Sequence, residues 1–150
     1  MSHNNRAKER GTAVEVKVRD YMRAALGQPG IDRQPLRGRR DAGDLAGLVA
    51  RGFGAVVEVK AKRDVTRSLV AEYRRQTLAE RESAGAGVGI LVVWRYNHPA
   101  ADAVAHVTLR DLARLSRPLR VNDGYMDEAD GSWVSMTLGE LCALINDKEG

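Results

Sequence analysis

Residues 39–62 read RRDAGDLAGLVARGFGAVVEVKAK. Two short apolar runs, LAGLV at 45–49 and GAVVEVKA at 54–61, flank a glycine-containing segment. The short separation and the glycines predict an antiparallel hairpin, with strands at 44–49 and 55–61 and a turn at 50–54. Side chains alternate between the faces of a strand, so Glu58 and Lys60 share one face and Val57 and Val59 the other. A Glu and a Lys on one face of an otherwise apolar strand are costly unless they are paired.

Working outward, a helix is expected over 66–83. Leu69, Val70, Tyr73, Thr77 and Leu78 make its apolar stripe, and Gly85 and Gly87 end it. VGILVVW at 88–94 is a continuous apolar run suited to a central strand buried on both faces. Strand, helix and strand in this order predict a right-handed crossover, with 88–94 parallel to the strand of Glu58. Upstream, Val14, Val18, Tyr21, Met22, Ala25 and Leu26 mark a helix over 12–26, with Thr12-x-x-Glu15 as a capping box. Residues 31–36 suit a short edge strand, because Pro35 cannot donate to a central ladder. Downstream, a strand is expected over 103–109 and a short helix over 109–115, capped by Thr108 with Asp111. A loop is expected over 116–131, then a last helix over 137–146 opened by Thr137 and Glu140, with Cys142 on its apolar face. The predicted fold class is α/β, a mixed central sheet flanked by helices. The expected organisation is a single domain, with a mobile basic arm at 1–11, a core at 12–97 and a C-terminal extension at 98–150.

Length and charge limit the function. The chain has 150 residues, 43% hydrophobic and 29% charged, enough for one domain with a core. No apolar run reaches the length of a membrane span, and the polar, basic start does not read as a secretory signal. The single cysteine, Cys142, rules out an internal disulfide framework or a multi-cysteine zinc site and fits a reducing cytoplasm. The net charge of +4 is uneven: residues 1–81 hold 18 Lys and Arg against 10 Asp and Glu, residues 82–150 hold 6 against 10. The basic excess thus surrounds Asp44, Glu58 and Lys60, as an anionic partner would require.

Asp44 at the mouth of one strand and Glu58 in its partner make a hard, oxygen-rich site without nearby histidine or cysteine. That donor set suits Mg²⁺ or Mn²⁺. Asp41 is a rival to Asp44; Asp44 is preferred because it abuts the apolar strand. Lys60 supplies a fixed positive charge that can hold a water nucleophile or face charge building on a phosphate. Arg6, Lys8 and Arg10 at the start of the chain, Arg37, Arg39 and Arg40 in the loop before Asp44, and Lys62, Arg63 and Arg67 after Lys60 are candidate DNA contacts. His98, His106, Trp94 and Trp133 read as ordinary loop, strand and core residues.

Asp44, thirteen residues and then Glu58-Val59-Lys60 resemble the core of the PD-(D/E)XK nucleases, with Gly43 where that superfamily usually has proline. Glu15, in GTAVEVKVRDYMRAAL, is similar to the superfamily's first acidic residue. Within it, the chain over about residues 4–97 resembles the archaeal-type Holliday-junction resolvases, a restriction-endonuclease-like fold; some members are carried by phages. The resemblance implies that Asp44, Glu58 and the Val59 carbonyl hold the metal, that Glu15 assists it, that Lys60 orients the attacking water and that Gln76 is a further candidate contact. It also implies a homodimer nicking four-way DNA junctions symmetrically, leaving a 5′-phosphate and a 3′-hydroxyl, in the cytoplasm of a bacterial or phage-infected cell. The alternatives are a restriction- or repair-type endonuclease on linear duplex DNA and a non-catalytic DNA-binding protein.

Overall fold

The hairpin forms as expected and is the start of the central sheet. In the computed structural model, which describes residues 3–35, 44–116 and 131–147, β2 (Leu45–Ala50) and β3 (Phe53–Lys60) pair antiparallel. The turn is tighter than the sequence predicts. Arg51 and Gly52 alone make it, with φ of 50° and 84°, the left-handed pair that matches the twist of two antiparallel strands. The register shifts between Leu45 and Leu48. Gly47 lies in this bulge at φ 88°, and a Cβ there would collide with the carbonyl of Gly30, so the bulge and the close approach both require glycine. The Gln28 side chain meets the freed β2 backbone, donating to the Val49 carbonyl at 2.8 Å and accepting from its N–H at 3.0 Å.

Among the described residues, six strands follow one another across the sheet in chain order. The edge strand β1 (Asp32–Arg33) pairs antiparallel with β2 and is shorter than expected. β4 (Val88–Val93) runs parallel to β3, with Glu58 beside Leu91 and Lys60 beside Val93, and all six of its residues are buried. β5 (Val104–Thr108) and β6 (Trp133–Thr137) continue antiparallel, so strands from the segment expected as an extension belong to the same sheet. The expected mixed sheet flanked by helices is therefore present. Strand β6 was not expected; much of the 116–131 loop, at 117–130, lies outside the described residues.

The helices cover the sheet from both sides. α1 (His3–Leu26) and α4 (Leu138–Asn146) bring Val14, Val18, Met22, Leu138, Leu141 and Cys142 into one core with Val57, Val59, Ile90, Val92 and Val107. α2 (Arg67–Ser83) covers the opposite face: a Cβ at Gly89 of β4 would touch Thr77 and Arg81. Thr66 caps α2 by accepting from the Leu69 N–H. Short α3 (Leu109–Leu115) opens with Thr108 accepting from the Asp111 N–H, and the Thr137–Glu140 capping box on α4 is complete. No helix among the described residues is long and apolar enough to cross a membrane.

One expectation needs correcting. The helix does not begin at Thr12: α1 runs through residues 3–11, of which 5–10 are exposed. Ala7, Lys8, Glu9 and Arg10 are good helix formers, and a glycine such as Gly11 inside a helix costs only about 1 kcal/mol. Thr12 is thus interior, and Glu15 is not a cap.

Candidate active site

The C-terminal end of β3 places Glu58 and Lys60 on the α2 side of the sheet while Val57 and Val59 enter the opposite core. Lys60 Nζ lies 2.8 Å from Glu58 Oε1, and Glu58 is only 6% exposed. Asp44 stands just before β2. Its N–H donates to the Val57 carbonyl at 3.0 Å, its carbonyl accepts from Gln34, and its Oδ2 accepts from the Val59 N–H at 2.8 Å. The bulge that follows lets the aspartate reach across the hairpin to the backbone between Glu58 and Lys60. From α1, Glu15 accepts from Arg33 Nε of β1 at 2.9 Å. Tyr73 of α2 receives Lys60 Nζ at 4.8 Å from its ring centroid.

The fourth carboxylate, Glu80 of α2, is one that the sequence reading missed. It hydrogen-bonds Glu58, and its Oε2 is buried with no hydrogen-bond partner. The signal was available: Glu80 lies seven residues after Tyr73 and three after Thr77, on the same inward helix face. Gln76, singled out instead, is exposed, as is Arg67.

Electrostatics follow from this crowding. Burial first, then the charge of Glu58, push the Asp44 carboxyl up to about 7, with Glu15 adding to the effect. Burial, the hydrogen bond to Glu58 and the charges of Glu58 and Asp44 push Glu80 up to about 9. Burial works against the Lys60 ammonium, but the hydrogen bond to Glu58 and the charges of Glu58, Asp44 and Glu80 outweigh it and raise its pKa. One lysine is too little positive charge for this group of carboxylates, so protons make up the difference.

Among the described residues no three carboxylate, imidazole or thiolate groups already enclose an ion position. The donor chemistry nonetheless fits a hard divalent cation. Asp44, Glu58 and Glu80 offer oxygens only, one Glu80 oxygen has no partner, and two of the acids hold protons that a cation would displace. Val59 contributes its N–H to Asp44 and its side chain to the core.

The basic residues divide. Arg10, Lys62 and Arg63 line one cavity, whereas Arg6 and Lys8 lie exposed along α1. Arg37, Arg39, Arg40 and the rival Asp41 lie outside the described residues. His98 faces Asp102 at 3.5 Å. Buried His106 instead accepts at Nδ1 from Arg74 and contacts Ser135 Oγ at 2.8 Å. An arginine can only donate, so Nδ1 is the acceptor and the neutral ring carries its proton on Nε2. Trp94 packs against the core with Lys17 over its ring, and Trp133 is half-buried under Arg74.

Comparison with protein-family models, with curated proteins and with solved structures finds no match for this chain.

Proposed function

We propose that this protein is a metal-dependent endodeoxyribonuclease that cleaves branched DNA, four-way junctions above all. The observation that carries the reading is the gathering of Asp44, Glu58 and Lys60 at one end of the hairpin, on a sheet whose neighbouring positions are apolar. Asp44, Glu58 and the Val59 carbonyl would hold a Mg²⁺ or Mn²⁺ ion, with Glu15 assisting, and that ion would supply charge neutralisation and activation of water. Lys60 orients the attacking water and faces the charge that builds on the phosphate oxygens. Glu58 keeps that ammonium charged and in place through the 2.8 Å ion pair. Water oxygen bonds to phosphorus as the bond to the 3′-oxygen breaks. The water's proton is lost and the 3′-oxygen gains one, leaving a 5′-phosphate and a 3′-hydroxyl. Symmetric nicking of a four-way junction needs two such sites, so the working unit is a homodimer.

The test is incubation with a synthetic four-way junction and a matched linear duplex, with Mg²⁺ or with chelator. Paired nicks in the junction alone, in Mg²⁺ alone, are expected. Lys60→Ala and Asp44→Asn should still bind the junction while cutting falls by about 10²–10³-fold. Equal cutting of the linear duplex would reassign the protein to restriction- or repair-type chemistry. Junction binding without any metal-dependent cleavage would remove the nuclease reading.

A further inference from the structure

A cavity of about 560 Å³ opens where the chain leaves β3 and β4. Ala7, Arg10 and Gly11 of α1 form one wall; Ala61, Lys62, Arg63 and Asp64 form another, and Tyr96, from the loop after β4, closes it. Ala61 follows Lys60 directly in the chain, so the cavity adjoins the end of the strand that carries Glu58 and Lys60, with its α1 wall on the other face of the sheet. The Tyr96 hydroxyl donates to the Ala61 carbonyl, which fixes the ring as a wall. Arg63 lies over that ring, its guanidinium carbon 5.0 Å from the centroid.

The wall chemistry is mixed in an informative way. Arg10, Lys62 and Arg63 suit phosphate oxygens. Tyr96 layered with a guanidinium suits the flat face of a nucleobase. Asp64 would repel a phosphate but accepts from the exocyclic amino group of a base. A free anion would leave the tyrosine and the aspartate without a role, and an apolar ligand would leave three cations without one. The geometry points to a site for one unstacked nucleotide of the DNA substrate, its base against Tyr96 and Arg63 and its phosphates on Arg10 and Lys62. Unpaired nucleotides occur at branch points and bulges, so the cavity selects distorted DNA over continuous duplex. This rests on the reading of the protein as a DNA-processing enzyme, but not on its cutting.

The test is therefore a binding measurement in chelator, by fluorescence anisotropy. Two probes are used: a short duplex with one bulged cytosine, and the same duplex with an abasic bulge. The cytosine bulge should bind about tenfold more tightly. Tyr96→Leu should abolish that difference while leaving the abasic probe's affinity within about threefold, and Arg63→Ala should abolish it while weakening both probes. Equal affinity of the wild-type protein for the two probes would overturn the proposal, as would a difference that survives both substitutions. The nuclease reading fails separately: a chain that discriminates the bulges and cuts no DNA loses catalysis and keeps the cavity, and a chain that cuts junctions without discriminating loses only the cavity.

Discussion

Asp44 and Glu80 hold protons because they share a half-buried space with Glu58 and only one lysine. Their folded-state pKa values lie above the ordinary carboxylate value. Over the interval between, the folded chain binds more protons than the unfolded chain, so these groups make stability fall as pH rises. His106 acts in the opposite sense. Burial, then the charge of Arg74, lowers it to about 4, so its contribution is lost as pH falls below the ordinary imidazole value. The two effects overlap in acid, and above about pH 6.5 the carboxylates act without it. In chelator the melting temperature should therefore fall between about pH 6.5 and pH 8, and Glu80→Gln should flatten the fall. A melting temperature that rises over that interval would contradict the carboxylate assignment. Mg²⁺ added at the upper end should restore stability, because it binds the deprotonated folded site.

Helix α2 carries Tyr73 and Glu80 to the site, and its far end is held by an ion pair. Asp111 of α3, with 0% exposure, accepts from Arg81 Nη1 at Oδ1 (3.0 Å) and Oδ2 (2.9 Å), and its Oδ2 also accepts from the Gly89 N–H of β4 at 2.9 Å. Asp111→Leu would remove the buried acceptor of Arg81 Nη1 and of the Gly89 amide, and should cost about 3–5 kcal/mol in urea unfolding. A loss below about 1 kcal/mol would mean that the pair behaves as a surface salt bridge and does not anchor the helix. The elements read correctly from sequence are those with local signals. The hairpin has alternation and glycines, α2 has an apolar stripe ended by glycines, β4 has an unbroken apolar run, and α4 has a capping box. Glu58 and Lys60 were legible for the same reason, since a period of two needs no tertiary knowledge. The missed features depend on partners. β6 is only half-buried and is recognisable chiefly by its pairing with β5. The beginning of α1 was hidden by Gly11 and by a Thr-x-x-Glu pattern that occurs equally well inside a helix; its Glu15 serves Arg33. Glu80 shared the inward face of α2, but what it meets there, Glu58, is supplied by β3.

At the scale of the molecule, the uneven charge sets a salt dependence. Arg10 and Lys62 belong to the basic half and line the cavity under Tyr96. If each neutralises a phosphate, Arg10→Ala and Lys62→Ala should each reduce the slope of log affinity against log salt by about one. An unchanged slope would take that residue out of contact with the DNA backbone. The order of the sheet has a consequence of another kind. Every strand pairs with the one that precedes it in the chain, so during synthesis the sheet can grow from one edge to the other without waiting for a remote segment. Glu58 and Lys60 arrive with the early hairpin, but Glu80 joins them only after α2 has emerged and docked. A nascent chain stalled before that point has the ion pair of Glu58 and Lys60 without the buried carboxyl of Glu80 beside it.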